Sequence, residues 1–243
     1  MLSVTNVTKR FGDKQALKGV SLTIDRGEIV SLLGANGAGK TTLSSIIAAL
    51  RPVTSGEIAF EGASIYDDII WYRQRIGYCS QKATLNAALT LEENLIHDGR
   101  YFGLELNFIN DRIAELSHSL ELAPYLKEYP HVLSGGYQQR FSIARALMHN
   151  PALVILDEPT VALDPHIRRK LWDIIIDLKK GGTAILLTTH YLEEAEVLSD
   201  KVCVLDQGLV RLIDTPENLM ASFQKSNLEE VFLHLLQESQ GEG

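Results

Sequence analysis

Cysteine is scarce in this sequence, with only Cys79 and Cys203 among 243 residues. Both lie in apolar, strand-like surroundings. Such positions indicate buried free thiols in a reducing compartment and argue against a disulfide or a cysteine-bound metal. We therefore expect neither.

Long apolar runs and an excess of positive charge are also missing. No stretch approaches the ~18 apolar residues that a membrane span needs, and no apolar segment follows a basic start, as in a secretory signal. The net charge is −8, which argues against nucleic acid as a partner. We therefore expect a chain that is soluble by itself, binds no nucleic acid and reaches any membrane through a partner.

Apolar patterns predict an α/β core. The segments 28–33, 152–157 and 184–189 are nearly continuous apolar runs, which are typical of strands buried on both faces of a parallel sheet. Between the last two, apolar residues over 171–178 have the spacing of an amphipathic helix. A strand–helix–strand unit of this kind predicts helices packed on a parallel sheet.

Two further strand patterns and a hairpin flank this core. Residues 2–11 alternate apolar and polar like a half-buried strand, and residues 56–62 form a second short strand pattern. Residues 201–213 are predicted to form a hairpin that turns at Gln207 and Gly208.

Helical periodicity from about 91 to 146 interrupts the strand patterns. We predict one domain over 1–214 with a helical insertion over about 84–146, followed by a short helical tail over 215–243. An apolar stripe on this tail is expected to pack on the chain's own core. The stripe consists of Leu228, Val231, Phe232 and Leu235.

A glycine-rich loop follows the strand at 28–33. Its sequence, GANGAGKT over 34–41, fits the phosphate-loop pattern and stands in the required place between a strand and a helix. Glycines let successive backbone N–H groups point at phosphate oxygens, and the helix N-terminus adds a positive dipole end. Lys40 would reach the β and γ phosphates, Thr41 would hold Mg²⁺, and Thr42 would lie near the α phosphate. The alternative is a glycine-rich turn before a helix. The predicted phosphate-binding residues are Gly34, Ala35, Asn36, Gly37, Ala38, Gly39, Lys40, Thr41 and Thr42.

Two carboxylates end the apolar strand at 152–157. Asp157 at such a strand tip can hold Mg²⁺, and the adjacent Glu158 can accept a proton from an attacking water. Two solvated acids that close a strand are the alternative. Four apolar residues directly before the pair favour the functional interpretation.

The segment LSGGYQQR over 133–140 places two glycines at the head of a predicted helix. With a phosphate loop upstream and Asp-Glu-Pro downstream, it resembles the signature of the ATP-binding cassette (ABC) ATPases. The resemblance spans nearly the whole chain, with the motifs in the expected order. It implies that Phe11 stacks on adenine, that Gln81 is the Q-loop glutamine and a further Mg²⁺ ligand, that Asp164 lies in the D-loop (162–165), and that His190 is the switch histidine.

Each of these four residues also has a plainer interpretation. Phe11 could be a core residue, Gln81 an ordinary loop residue, and His190 a structural histidine. Asp164 before Pro165 is a good helix N-cap, a role that is compatible with a dimer contact.

In the ABC family the signature of one cassette closes over ATP held by another. The resemblance therefore implies that Ser134, Gly135 and Gly136 bind phosphate in trans at a helix N-terminus. A glycine-rich N-cap with Ser134 as the capping residue is the alternative, and both roles can coexist. Tyr137 departs from the glutamine common in the family.

The resemblance implies a P-loop NTPase with a RecA-like parallel or mixed sheet, an antiparallel β subdomain and the inserted helical signature subdomain. It implies an ATP hydrolase that uses ATP and Mg²⁺, pairs with a second ABC ATPase subunit, identical or different, and docks on integral membrane permease subunits. Such a subunit would lie peripherally on the cytoplasmic face of the inner or plasma membrane.

Three segments resemble the branch of the family that exports drugs, polyketides and polysaccharides, the type 2 exporters. They are TVALDP (160–165), YLEEAE (191–196) and NLEEVFLHL (227–235). We therefore expect an exporter of drug-like, lipid or polysaccharide cargo. An ABC importer ATPase, a soluble ABC protein that acts on ribosomes or DNA, and a GTP-binding switch are the alternatives. The absence of an Asn-Lys-x-Asp motif argues against the last.

Overall fold

Two β-sheets and a set of helices make up the computed structural model, which describes residues 1–82, 84–161 and 163–241. Ala162, the first residue of the predicted D-loop, and the last two residues of the predicted tail lie outside the described residues. The strands are β1 (Leu2–Phe11), β2 (Lys14–Ile24), β3 (Ile29–Leu33), β4 (Ser55–Phe60), β5 (Ala63–Ser64), β6 (Ile76–Cys79), β7 (Leu153–Asp157), β8 (Ala184–Thr188), β9 (Lys201–Asp206) and β10 (Leu209–Asp214).

The larger sheet has six strands in the order β10-β9-β3-β8-β7-β6. Its strands β9, β3, β8, β7 and β6 run parallel, and β10 pairs antiparallel with β9 at one edge. Every residue of β3, β7 and β8 is buried, because both faces of the sheet are covered. The three apolar runs in the sequence correctly predicted these central strands.

The smaller sheet is antiparallel, with the order β2-β1-β4-β5. The sequence pattern correctly predicted β1 and β4, while β2 was not predicted. This sheet packs on one face of the larger sheet, and both contribute to one apolar core with the helix after the phosphate loop.

The helices are α1 (Lys40–Ile47), α2 (Ile69–Arg73), α3 (Leu91–Tyr101), α4 (Leu106–Ser119), α5 (Gly135–Leu147), α6 (Pro165–Lys180), α7 (Leu192–Leu198), α8 (Pro216–Phe223) and α9 (Leu228–Gly241). Short 3-10 turns cover Ala123–Tyr125 and Pro130–Val132.

Alternate residues of β7 face two different cores, as the period of a strand requires. Leu153 and Ile155 face the core shared with α1 and the small sheet. Val154 and Leu156 face a second core, which is formed with α3, α4, α5 and α6. The sheet therefore separates the phosphate-loop helix from the helix that begins at the signature segment.

The tail residues of the predicted apolar stripe pack on the chain itself. Leu228 and Val231 of α9 are buried in a third core with Leu33 and Ala195, and Phe232 and Leu235 pack against it. The predicted role of the stripe is therefore confirmed.

Within the described part of the chain, no helix combines the length and the apolar character needed to cross a lipid bilayer. Cys79 and Cys203 are free and buried. Burial raises the pKa of each thiol to about 12, in line with the predicted buried free thiols.

Candidate functional site

The phosphate loop lies between β3 and α1, as predicted. A Cβ atom at Gly34 would lie 2.2 Å from the carbonyl oxygen of Leu205, and one at Gly39 would lie 2.8 Å from Leu17 Cδ2. Gly39 also has a φ of +114°, which side chains disfavour. The turn of the β9–β10 hairpin supports the loop, since the Gly208 N–H donates to the Ala38 carbonyl at 2.9 Å. The loop shape is therefore fixed by the chain's own packing.

Lys40 lies inside this loop and is only 6% exposed. Its Nζ donates to the carbonyl oxygen of Gly34 at 2.7 Å and to that of Ala35 at 3.4 Å. Burial lowers the pKa of Lys40, and the negative charges of Glu158 and Asp157 partly oppose that shift. A phosphate anion beside Lys40 would add to this opposition and hold the ammonium charged.

Asp157 ends β7 beside Thr188, its register partner on β8. The Thr188 hydroxyl donates to Asp157 Oδ1. Oδ2 is buried and has no hydrogen-bond partner, and an unpaired buried carboxylate oxygen is costly unless a cation or a water satisfies it. Asp157 therefore has the carboxylate oxygen that a Mg²⁺ ligand at this position requires. In the described ranges, no cluster of three or more His, Cys, Asp or Glu offers a carboxylate cage, so a single acid would be completed by hydroxyl, amide and water oxygens.

Glu158 is contacted by two residues from distant parts of the chain. Gln81 Nε2 donates to Glu158 Oε2 at 2.8 Å, and His190 Nδ1 lies 3.5 Å from the same oxygen. The Glu158 backbone has a φ of +51°, which is uncommon for residues other than glycine. Its N–H donates to both the carbonyl and the hydroxyl oxygen of Thr188.

A cavity of about 410 Å³ joins this cluster to the start of the phosphate loop. The sequence-predicted residues Gly34, Ala35, Asn36, Gln81, Glu158 and His190 all line it. Phe232 of α9 lines it too, although the sequence pattern indicated only that this residue packs on the core. Phe11, Ser134 and Asp164 are not among the lining residues.

Phe11 ends β1 and is 42% exposed, so its ring is available for stacking. Lys9 Nζ lies 5.2 Å and the Arg51 guanidinium lies 5.6 Å from the ring centroid. An exposed aromatic ring between two cations argues against the core interpretation of Phe11, because buried packing would hide the ring.

Ser134 stands at the N-cap of α5, but its side chain makes no capping hydrogen bond. Ser134 and Gly135 are exposed and Gly136 is half-buried. A Cβ atom at Gly135 would meet nothing within 4 Å. The side-chain hydrogen bond that a capping role for Ser134 requires is therefore missing. The described part of the chain also gives no steric reason for glycine at 135.

Tyr137 stands where the ABC family that the sequence resembles commonly has glutamine, and its side chain contacts two residues of its own chain. The Tyr125 hydroxyl donates to the Tyr137 hydroxyl at 2.9 Å, and the Arg140 guanidinium lies 4.0 Å from the Tyr137 ring centroid. The hydrogen bond from Tyr125 and the contact with Arg140 lower the pKa of Tyr137.

Asp164 is the N-cap residue of α6, with Pro165 at the first helical position. It is exposed and makes no side-chain capping bond. Its carboxylate is therefore accessible to another molecule.

The sequence interpretation missed a buried acid behind the site. Glu194 of α7 is fully buried and accepts hydrogen bonds from Trp172 and Thr160. The sequence did contain an indication that Glu194 is buried. It lies four positions before the apolar Leu198 and therefore on the same face of a helix.

Residues 17–161 match the family model described as "ABC transporter". The Nod factor export ATP-binding protein I of Sinorhizobium fredii is 42% identical over 207 residues, which are 85% of this chain and 60% of that protein. The linearmycin resistance ATP-binding protein LnrL of Bacillus subtilis is 38% identical over 219 residues, 90% of this chain and 70% of that protein. The chain thus spans less than two thirds of the length of the Nod factor protein.

Solved structures match the fold along most of the chain. One, described as the ATP-binding subunit of an ABC transporter, has a TM-score of 0.91 and 31% identity, and the match covers 97% of this chain and 99% of that one. Another, a dimeric cassette in a post-hydrolysis state bound to ADP and Pi, has a TM-score of 0.83 and 31% identity, with 88% and 98% covered. The predicted fold class is confirmed by these matches.

Proposed function

Because the chain belongs to the ABC transporter family, as one of its ATP-binding ATPase cassettes, we propose that it hydrolyses MgATP to drive export through a separate membrane permease. The observation that carries the proposal is the cluster at Glu158. Residues from three distant segments, Gln81, Glu158 and His190, meet at one carboxylate oxygen beside the phosphate loop.

The chain's own residues supply binding and proton transfer. The loop N–H groups and Lys40 bind the phosphates, and Phe11 offers a ring for adenine. Glu158 takes the proton of the attacking water, while Gln81 and His190 hold its Oε2 in place. Asp157, Thr41 and Gln81 would hold Mg²⁺, which neutralises charge on the phosphate oxygens during transfer.

A second cassette would complete the site. Ser134 and the backbone N–H groups of Gly135 and Gly136 are proposed to bind the phosphates held by the other copy, and Asp164 to contact that copy. The exposed, unused hydroxyl of Ser134 and the open space at Gly135 support this role. The dimeric state described for a similar cassette supports it as well.

A groove of about 260 Å³ between β6 and the helical insertion is the proposed permease site. Its lining includes Ser80, which precedes Gln81, and Tyr101, which is 77% exposed. The rings of Phe102 and His149 stack along the groove with their centroids 3.7 Å apart, so part of the groove wall is aromatic. Binding there would place the permease next to Gln81, and the chain would lie on the cytoplasmic face of the membrane.

Export is proposed from the kind of relatives that the chain resembles. One is described as a Nod factor export protein and another as a linearmycin resistance protein. Both descriptions favour removal of a cargo of the drug-like, lipid or polysaccharide class, as the sequence motifs indicated.

The test is phosphate release by the purified chain and by its complex with the permease. We expect Glu158→Gln to lower turnover about 10²–10⁴-fold, the usual contribution of a general base, while ATP still binds and holds a dimer. Glu57→Gln, a change at an exposed acid on β4, is the matched control and should turn over like the unmodified chain. Equal rates for Glu158→Gln would contradict the assignment of Glu158, and an unmodified chain that releases no phosphate would contradict the proposed function.

A further inference from the structure

Glu194 is a buried acid, and each of its two carboxylate oxygens accepts a hydrogen bond. Trp172 Nε1 donates to its Oε1 at 2.9 Å, and the Thr160 hydroxyl donates to its Oε2 at 3.2 Å. Burial raises the pKa of Glu194, and hydrogen bonds from Thr189, Trp172 and Thr160 oppose that shift. A carboxyl group placed at 0% exposure costs folding free energy even when it is paired, so its position calls for a functional explanation.

Two donors of Glu194, Thr160 and Thr189, belong to the two segments that meet at Glu158, while Trp172 belongs to α6. Thr160 follows Glu158 in the loop after β7, and Thr189 directly precedes His190 after β8. The Thr189 hydroxyl also accepts the Tyr191 N–H at 3.0 Å. The Glu194 carboxylate therefore bridges the segment that carries the proton acceptor and the segment that carries the switch histidine.

A second bridge lies closer to the sheet. The Thr188 hydroxyl accepts the Glu158 N–H at 3.0 Å and donates to Asp157 Oδ1. It ties the ends of β7 and β8 in the plane of the sheet, whereas Glu194 ties the loops beyond them. Two bridges on one short loop account for the positive φ of Glu158, since a residue keeps an uncommon backbone conformation only when its surroundings hold it.

We propose that Glu194 is a positioning residue for ATP hydrolysis, which fixes the loop after Glu158 against the segment that carries His190. This inference rests on the proposed function, in which Glu158 accepts the proton. Without the bridge, the separation of 3.5 Å between His190 Nδ1 and Glu158 Oε2 would vary. A displacement of about 1 Å in a catalytic group can lower a rate by up to about 10²-fold.

The matched variants are Thr160→Val and Thr160→Ser, since Thr160 is fully buried. Valine keeps the volume and removes the hydroxyl bond to Glu194, whereas serine keeps the bond and removes a methyl group. Positioning predicts a kcat about tenfold lower for Thr160→Val, with an ATP dissociation constant within about twofold and near-normal kcat for Thr160→Ser. Equal kcat for both variants, or a larger loss for serine, would overturn the proposal.

Ser199→Ala is the control for stability alone. The Ser199 hydroxyl donates to Ser31 Oγ at the other end of α7, so its removal also breaks a partly buried bond of this helix. We expect a lower melting temperature and unchanged kcat. If Ser199→Ala lowers kcat as much as Thr160→Val, loss of stability explains both and the positioning role is excluded.

A spectroscopic measurement separates this inference from the proposed function. We expect the imidazole NMR resonances of His190, assigned by their loss in His190→Gln, to shift in Thr160→Val and not in Ser199→Ala. This readout needs no turnover, so it shows whether the bridge positions His190 even in a chain that releases no phosphate, where only the proposed function fails. Thr189→Val and Thr189→Ser repeat the test from the other segment and replace the first pair if Thr160→Val does not fold.

Discussion

The phosphate loop and the signature segment are both glycine-rich turns before a helix, but the surroundings of their glycines differ. In the phosphate loop, a Cβ atom at Gly34 or Gly39 would overlap atoms of Leu205 or Leu17. In the signature segment, a Cβ atom at Gly135 would meet open space. The packing of its own chain therefore requires glycine in the first loop, whereas the described residues give no steric reason for glycine at position 135.

The polar groups of the two segments differ in the same way. Lys40 is buried and donates to loop carbonyls, whereas Ser134 is exposed and caps nothing. A sequence feature that its own fold does not need points to a requirement from outside the chain. We propose that this requirement is nucleotide held by a second cassette.

The largest expected contrast is between Gly39→Ala and Gly135→Ala. Gly39→Ala should destabilise the fold by about 1–3 kcal/mol or more, because a side chain at positive φ is strained and also overlaps Leu17. Gly135→Ala should leave the melting temperature unchanged and lower turnover by about 10²-fold, the usual loss when preorganised donors are disturbed. Thermal unfolding and phosphate release measure the two effects. Normal turnover of Gly135→Ala would remove the contrast between the segments.

A smaller contrast separates two helix N-caps, Ser134 and Thr90. Thr90 forms a complete capping box with Glu93 at the start of α3, so Thr90→Ala should cost about 1 kcal/mol of stability and leave turnover unchanged. Ser134→Ala should leave stability unchanged and lower turnover about tenfold, the loss expected for one charge-assisted hydrogen bond of about 1.4 kcal/mol. Urea unfolding beside phosphate release checks both. A stability loss in Ser134→Ala equal to that in Thr90→Ala would indicate that Ser134 is an ordinary cap.

The smallest expected effect is a pH dependence of stability from the buried Glu194, which lies in neither of the two glycine-rich segments. Burial raises the pKa of Glu194 above 4.5, so the folded chain holds this proton more tightly than the unfolded chain does. Stability from this group is therefore present below about pH 4.5 and is lost as the pH rises through the raised pKa. Glu194→Gln does not titrate. Its stability relative to the unmodified chain should therefore increase as the pH rises from 4.5 to 8, and a stability difference in urea unfolding that stays constant over that range would contradict the shift.

Local patterns in the sequence were enough to predict much of the fold. Strands β3, β7 and β8 are continuous apolar runs because both faces are buried, and the hairpin at Gln207 and Gly208 has a recognisable turn. Strand β2 was missed, and α2 and β6 were not distinguished from the loops around them. Their patterns are short or irregular, and their placement depends on strands far away in the sequence.

The site divides in a similar way. The loop residues and the acids at the end of β7 follow from motifs, because each motif is contiguous. The bridge through Thr160, Thr189 and Glu194 joins two segments, since Thr160 lies 34 positions before Glu194, and no local pattern in the sequence indicates such a contact. The missing capping bond at Ser134 likewise needed the structure, since capping and phosphate binding favour the same residue type.

The hydrogen bond from Gly208 to Ala38 has a consequence for how the chain acquires its nucleotide site. Support for a loop near the N-terminus comes from a turn far later in the sequence. Contacts of such high sequence separation are slow to form, because a long loop of chain must close first. A partly folded chain should therefore bind ATP poorly, and ATP should stabilise only the fully folded chain.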